Sequence, residues 1–423
     1  MKVTNVMERV YDPKRLSEAW RQVKRNAGAA GIDKMTVDEF QKRGVELGPL
    51  VSRQLKEGTY RFKPAKRVYI PKPGTTKKRP LGIPVVMDRI VSQSVNLAFE
   101  EIFAPDFTES NFGFRRGKSQ HMAIMHVQKT VKEGYAWCVS VDLKSFFDEI
   151  PHSLLLKLIR RKIDDERLVT LVMRSLKAGV IVDGKFERTG KGCPQGSPLS
   201  PMLSNIALNE LDHELEKRGL RYARWADDFI IMVKSERAAL RVMEGVTKYL
   251  EGTLGLPVNK EKSEVAKVKD VSFLGFQITT QGKIKISEKS RTKFKGKVKT
   301  LTKRNNPLSM HRIVDELNPL LRGWVNYFRI QEESRILYEL DCWIRKRLRS
   351  MQLKKWKKPA KFKRVMIKAG FRTKEAYRTN IRMRRWESAE RWQVKFTLNL
   401  DWFKNIGLIF LNDYRHVASI PIA

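Results

Sequence analysis

An α+β body over residues 1 to about 287, followed by an almost wholly helical and strongly basic remainder, is the fold this sequence predicts. Three observations carry the prediction. Strand-like and helix-like patterns alternate irregularly as far as residue 287, whereas from 288 to about 358 apolar residues recur only at helical spacing. Residues 341–390 hold 18 Lys and Arg against 4 Asp and Glu, interleaved with Trp343, Trp356, Phe362, Phe371, Tyr377 and Trp386. The chain of 423 residues carries 85 Lys and Arg against 46 Asp and Glu, a formal net charge of +39. Such an excess self-repels unless a polyanion neutralises it, which points to nucleic acid.

The elements follow in order. LSEAWRQVKRN and VDEFQKRGVELGPLVSRQLKEG have apolar residues three and four apart and read as helices, broken between them by NAGAAGID. RVYIP and LGIP read as the arms of a hairpin around the basic turn PKPGTTKKRP. Residues 87–104 form an amphipathic helix. YAWCVSVD is a strand that ends at Asp142, and PHSLLLKLIRRKI then opens a helix with Pro151 near its first turn. VIVDGKFERTGKG is a second hairpin, and PLSPMLSNIALNELDHELEKRG a long helix ending at Gly219. RYARWADDFIIMVKS supplies two apolar strands with Asp227 and Asp228 between them, and VSFLGFQITTQGKIKIS supplies further strands.

Composition bounds the rest. Hydrophobic residues make up 41% of the chain and include nine Trp, enough for real cores and against a disordered chain. No stretch approaches the roughly 20 apolar residues that span a bilayer, so no membrane partner is expected. The opening MKVTNVMERVYDPKRL mixes charges and does not read as a signal peptide. Cys138, Cys193 and Cys342 lie far apart with no CxxC, which fits reduced thiols in a cytoplasmic protein.

The chemistry centres on carboxylates. Adjacent aspartates repel, yet Asp227-Asp228 sits where one buried strand turns into the next, and Asp142 ends another. Hard divalent cations need oxygen ligands, and carboxylates from two strand ends suit a Mg²⁺ pair of the kind that drives in-line phosphoryl transfer. A solvated Asp-Asp turn is the plainer alternative for the dipeptide taken alone.

It does not stand alone. VDLKSFF (141–147), GCPQGSPLSPMLSN (192–205), WADDF (225–229), NKEKS (259–263) and FLGF (273–276) occur in this order, and together they resemble the palm and fingers motifs of reverse transcriptases. NAGAAGIDKMTVDEF, IPKPGTTKKRPLGIP, NFGFRRGKSQH and LNPLLRGWVNYFRI resemble blocks of group II intron-encoded reverse transcriptase/maturases, the last of them the maturase segment. The likeness runs over essentially the whole chain and is closest to class C members, which lack a C-terminal endonuclease domain.

That resemblance implies a right-hand polymerase: fingers and palm over 1–287, a helical thumb or maturase segment over 288–350, and a basic nucleic-acid-binding C-terminal domain over 351–423. It implies that Asp142, Asp227 and Asp228 are catalytic and hold two Mg²⁺. It places Phe147 as the ring under the sugar that excludes a 2′-hydroxyl, and Lys72 and Arg79 as the cations gripping the dNTP triphosphate. Gln195 lies under the incoming nucleotide, with Gly196 permitting close backbone approach, and Lys262 matches a lysine of the palm. RNA contacts are expected from the basic C-terminal third, at Arg322, Lys354, Lys355, Lys357 and Lys358. Trp324, Tyr327 and Phe328 recur at helical spacing and read as core before they read as base-stacking rings.

Three positions depart from the family pattern. Trp225 stands where Tyr is usual before Ala-Asp-Asp, Ser197 where a second Gly follows PQG, and Arg116 where proline is commoner. Trp keeps the large ring but replaces a phenol hydroxyl with an N–H that cannot accept. All three positions are expected to meet primer or template. The implied partners are a group II intron RNA, an RNA template with a DNA primer or target DNA, and dNTPs; nothing in the sequence specifies an oligomeric state. Splicing and target-primed mobility follow from the resemblance. Two rivals are an intron-detached reverse transcriptase recruited to DNA repair or phage defence, and an RNA-binding splicing cofactor without catalysis.

Overall fold

The computed structural model describes residues 2–71 and 78–413. The chain forms two compact units, Met1–Leu274 and Gly275–Ala423.

The first unit is built on two four-stranded sheets. One contains strands β1 (Ala65–Pro71), β2 (Lys78–Ile83), β4 (Val180–Val182) and β5 (Lys185–Glu187) in the order β2-β1-β4-β5, with β1 antiparallel to β2 and parallel to β4. The other contains β3 (Trp137–Val141), β6 (Arg221–Trp225), β7 (Asp228–Val233) and β8 (Glu264–Lys267) in the order β6-β7-β3-β8, all neighbours antiparallel. β7 occupies an interior position in this sheet, and Phe229 to Val233 are all buried. That is why its sequence is an unbroken apolar run rather than an alternating one.

Helices pack around the sheets. Pro13–Asn26 starts on an Asp12 cap with Pro at its first position, and Val37–Lys56 on a reciprocal capping box between Thr36 and Glu39. The helix Val86–Phe103 is expected to be amphipathic, but the structure buries it on most sides, Asp88, Arg89, Gln93 and Ser94 included. Each of these polar groups has a partner. Asp88 accepts from the Tyr60 hydroxyl at 2.6 Å and the Lys63 amide at 2.9 Å, Gln93 donates to Gln22 and Ser94 to the Val10 carbonyl. Arg89 donates to the Pro84 carbonyl at 2.9 Å. Polar residues thus mark hydrogen-bonded joints inside the unit, not a wet face.

The second unit begins with a hairpin of β9 (Phe276–Ile278) and β10 (Ile284–Ile286), followed by helices Glu288–Leu301, Met310–Phe328, Ser334–Trp356 and Pro359–Lys368. The division between units falls earlier than the expected boundary at 287. The hairpin packs into the helical unit: the Phe276 ring lies 4.9 Å from Phe328 and 5.6 Å from Tyr327, and Glu332 exchanges two backbone-directed hydrogen bonds with Ile284. Trp324 stacks on Phe294 at 4.2 Å and Val325 and Phe328 are buried, so the apolar side of RGWVNYF packs inside the unit while Arg322, Gly323 and Asn326 are exposed. Helix Ser334–Trp356 runs through the boundary expected at 350, and a further cluster containing Leu353, Trp356, Phe362, Phe371 and Leu398 forms beyond it. No described helix is long and apolar enough to cross a membrane.

Candidate active site

β6 and β7 are joined by Ala226 and Asp227 alone, with Trp225 paired to Asp228. So tight a turn requires a left-handed residue, and Ala226 takes it with φ +57°. The strain is held from beneath. Arg224 is wholly buried and donates from Nη1 to the Ala226 carbonyl at 3.1 Å. Its guanidinium forks onto Asp212, also wholly buried, with Nε at 2.8 Å from Oδ1, and reaches Asn205 Oδ1 at 3.0 Å. Asn205 in turn donates to the Gly113 carbonyl at 2.8 Å. Gly113 closes the arrangement, because a Cβ there would lie 2.3 Å from the Ala226 nitrogen.

The third carboxylate arrives by register. Val141 pairs with Phe229, which brings the ends of β3 and β7, and hence Asp142 and Asp228, side by side. The NKEKS segment wraps Asp142: Ser263 Oγ accepts its amide at 3.1 Å, Asn259 donates to Oδ1 at 3.1 Å, and the Asn259 amide donates to its carbonyl at 2.8 Å. Lys262 Nζ lies 3.5 Å from the same Oδ1, in a pair whose side chains are 64% and 42% exposed. Burial pushes the Asp227 carboxyl above the usual range; the Asp142 charge pushes the same way, while Arg79 and Arg224 oppose it.

These groups share one cleft of about 1510 Å³. Arg79, Phe147, Gln195, Ser197, Trp225 and Lys262 line it with the three aspartates. The adjacent rings Phe146 and Phe147 both line the cleft and meet edge to face at 5.5 Å; Phe146 is buried and Phe147 half-buried, so Phe147 is the more accessible of the two. The PQG loop touches β2 backbone to backbone. The Gly82 amide donates to the Gln195 carbonyl at 2.7 Å, and a Cβ on Gly196 (φ +126°) would sit 2.2 Å from the Gly82 oxygen. Gln195 donates to Asp148 at 3.3 Å, and His152 lies 2.7 Å from the Gly192 carbonyl at the loop's start.

Not every expected residue joins the cleft. Lys72 lies outside the described residues. Arg116 is exposed and is not among the cleft's lining residues; its neighbour Arg115 is the one anchored, to the Asn111 carbonyl at 3.0 Å. Arg322, Lys354, Lys355, Lys357 and Lys358 belong to the second unit. Four of these are exposed, but Lys355 donates to the Asn306 and Leu308 carbonyls at 2.7 and 2.6 Å, and burial lowers its pKa. That ammonium holds a loop. The sequence reading also missed Arg224, Asp212, Gly113 and Asn259, and an arginine inside an apolar strand was the one available signal.

Among the described residues, no group of three or more His, Cys, Asp or Glu side chains gathers tightly enough to hold a metal ion as it stands. The donor chemistry fits a divalent cation nonetheless. All three candidate ligands are hard carboxylates at strand ends on one cleft, and the charge of Asp142 already raises the proton affinity of Asp227, a coupling that a shared cation would reverse.

Residues 70–278 match the family described as reverse transcriptase (RNA-dependent DNA polymerase), and residues 291–370 match the maturase-specific domain of group II introns. Protein YkfC of Escherichia coli (strain K12) is 35% identical over 66% of this chain and 84% of its own length. Group II intron-encoded protein LtrA of Lactococcus lactis subsp. cremoris is 29% identical over 67% of this chain and 57% of its own length. Reverse transcriptases use divalent metal ions, and a maturase domain implies an RNA partner. The chain belongs to the group II intron-encoded reverse transcriptase/maturase family, with an RNA-directed DNA polymerase domain followed by a maturase domain.

Proposed function

We propose that this chain extends a DNA primer on an RNA template with Asp142, Asp227 and Asp228 as the ligands of two Mg²⁺, and that it binds a group II intron RNA to support splicing and target-primed mobility. The observation that carries the reading is the register of β3 against β7, which delivers two carboxylates side by side at the edge of a cleft that also holds Asp227, Arg79, Phe147 and Gln195. When bound, the Mg²⁺ pair supplies stabilisation of the attacking and leaving oxygens of in-line displacement.

The chain's own residues do the rest. Arg79, on the strand that abuts the PQG loop, offers a guanidinium to the triphosphate of the incoming dNTP. Lys262, 3.5 Å from Asp142, adds a second exposed cation to the cleft. Phe147 lies where a ring under the sugar would reject a 2′-hydroxyl, and Trp225 stands next to the carboxylates where the primer's 3′ end would lie. In the second unit, Arg372, Lys374, Arg378 and Arg391 line a hollow of about 550 Å³, with Tyr377 63% and Trp392 58% exposed. Cations for phosphates together with exposed rings for unpaired bases are the equipment of an RNA surface, although Trp392 also packs on Phe371 and Lys363 lies over Tyr377. The three cysteines are free, which supports residence in a reducing cytoplasm. In this reading the domain from 1 to 274 works as fingers and palm and the helices after the hairpin as thumb and maturase.

Primer extension with Mg²⁺ on an RNA template tests this. Wild type should incorporate dNTPs, and Asp228→Ala should lose at least about 10³-fold while still binding intron RNA. Failure of both proteins to extend, with RNA binding intact, would leave a splicing cofactor and end the polymerase proposal.

A further inference from the structure

The loop between residues 110 and 118 carries a side chain that packing does not explain. Phe114 is 49% exposed and lines the cleft that holds the three aspartates. Its backbone is left-handed, with φ +55°. For a bulky aromatic residue that conformation is strained, and it persists only where neighbours over-determine it. Hydrophobic burial does not repay the strain, because the ring is half in solvent, and Phe112 two residues earlier supplies the buried ring of this loop at 4% exposure.

The neighbours that impose the conformation are visible. The Phe112 amide donates to the Arg224 carbonyl at 2.8 Å, and the Arg224 amide to the Ser110 carbonyl at 2.9 Å. Asn205 holds the Gly113 carbonyl, and Gly113 itself touches the Trp225-Ala226 backbone. Arg115 returns to the Asn111 carbonyl at 3.0 Å. The strained residue is therefore locked on both sides and set one position from the turn that carries Asp227. A strained, fixed and exposed ring at a reaction cleft is positioned for something that arrives from outside.

We infer that Phe114 is a primer–template contact whose ring packs against the base pair at the primer's 3′ end. The inference rests on the polymerase reading, since that reading is what brings a primer end to Trp225. An aromatic ring laid against the edge of that base pair adds apolar contact area that does not depend on which bases are paired. Phe114 acts on the position of the duplex and takes no part in proton or phosphoryl transfer.

Two substitutions separate this from a structural role. Phe114→Gly removes the ring and adopts the left-handed backbone without strain, so it should melt at or above the wild-type temperature. Its Kd for an RNA-template/DNA-primer hybrid, read by fluorescence anisotropy in EDTA, should rise about tenfold, as should KM for that hybrid, with kcat within about threefold. Phe114→Trp keeps a ring and should restore wild-type affinity. A Phe114→Gly protein that binds the hybrid as tightly as wild type would overturn the inference. So would one that melts well below wild type, since the ring would then be serving the fold. Wild type that binds the hybrid but fails to extend it would strike the polymerase reading, whereas wild-type extension beside an unaltered Phe114→Gly would strike the Phe114 contact alone.

Discussion

The two carboxylate-bearing sides of the cleft are held in opposite ways. The hairpin with Asp227 is fixed from below by a wholly buried arginine, a wholly buried aspartate, an asparagine and a glycine that no other residue could replace without displacing the turn. Asp142 is fixed at the surface by Asn259, Ser263 and a largely exposed Lys262. The difference teaches where rigidity comes from. A charged fork in low dielectric defines one geometry because any other leaves a buried charge unpaired, whereas exposed polar contacts exchange readily with water. One side of the site is held by buried charge, and the other by contacts that water can reach.

Removing the support beneath the hairpin should have the largest effect. Arg224→Met leaves Asp212 buried without its partner and should cost about 3–5 kcal/mol of stability in denaturant unfolding. The double variant Arg224→Met/Asp212→Leu should regain most of that loss. A single-variant cost below about 1 kcal/mol would show that the turn is not held from beneath.

Gly113→Ala comes next. Its methyl would press on the Ala226 nitrogen and shift the Asp227 backbone, so primer extension should fall about 10²-fold with an overpacking cost of roughly 1–3 kcal/mol. Unchanged kinetics would mean that the turn has room to yield. On the other side, Asn259→Ala and Lys262→Ala should each leave stability within about 1–1.5 kcal/mol, because they remove a partly exposed hydrogen bond and an exposed ion pair. Their signature should be a raised Mg²⁺ requirement in primer extension, and a stability loss equal to that of Arg224→Met would erase the contrast between the two sides.

Acid titration gives a smaller but signed effect. Burial first, and Asp142 second, hold the Asp227 pKa above that of an unfolded aspartate. Its contribution to the stability of the metal-free protein is therefore complete below the unfolded pKa and is lost as pH rises through the folded one. Asp142→Asn should shift Asp227 downward and narrow that window, which carboxyl-carbon NMR titration would read; an unmoved Asp227 would show that the two carboxylates do not feel each other. The smallest change is expected from Trp225→Tyr, which should fold as wild type and extend primers with a shifted primer preference or error rate. Complete loss of extension there would show a site built differently around the tryptophan.

The sequence made some of this legible and hid the rest for physical reasons. The WADDF turn and the VSVD terminus stand out because carboxylates at the ends of buried strands recur in order with VDLKSFF, GCPQGSPLSPMLSN and NKEKS; the dipeptide alone would not have carried the site. NKEKS was legible as a motif but not as a clamp, since the contact between Asn259 and Asp142 spans a long stretch of chain and leaves no local pattern. Arg224 and Asp212 are twelve residues apart, on a strand and a helix whose crossing no periodicity announces. β8 was missed because EVAK is short, and the helix Val86–Phe103 was misread because its polar residues mimic a solvent face while each is hydrogen-bonded within the unit. Lys355 shows the same limit in reverse, as one cation in a basic run that turns inward to cap two carbonyls.

The hairpin of β9 and β10 has a practical consequence for anyone dividing this protein. A cut at 287, where the strand pattern ends, would carry off Phe276, Ile278, Ile284 and Ile286, all buried in the intact chain, and strand them on the polymerase half without the helices that cover them. That half would display an uncovered apolar two-stranded edge, a template for self-association. A cut after Leu274 leaves those four side chains at home, and the seam that matters for handling the two halves separately lies thirteen residues upstream of the one the strand pattern suggests.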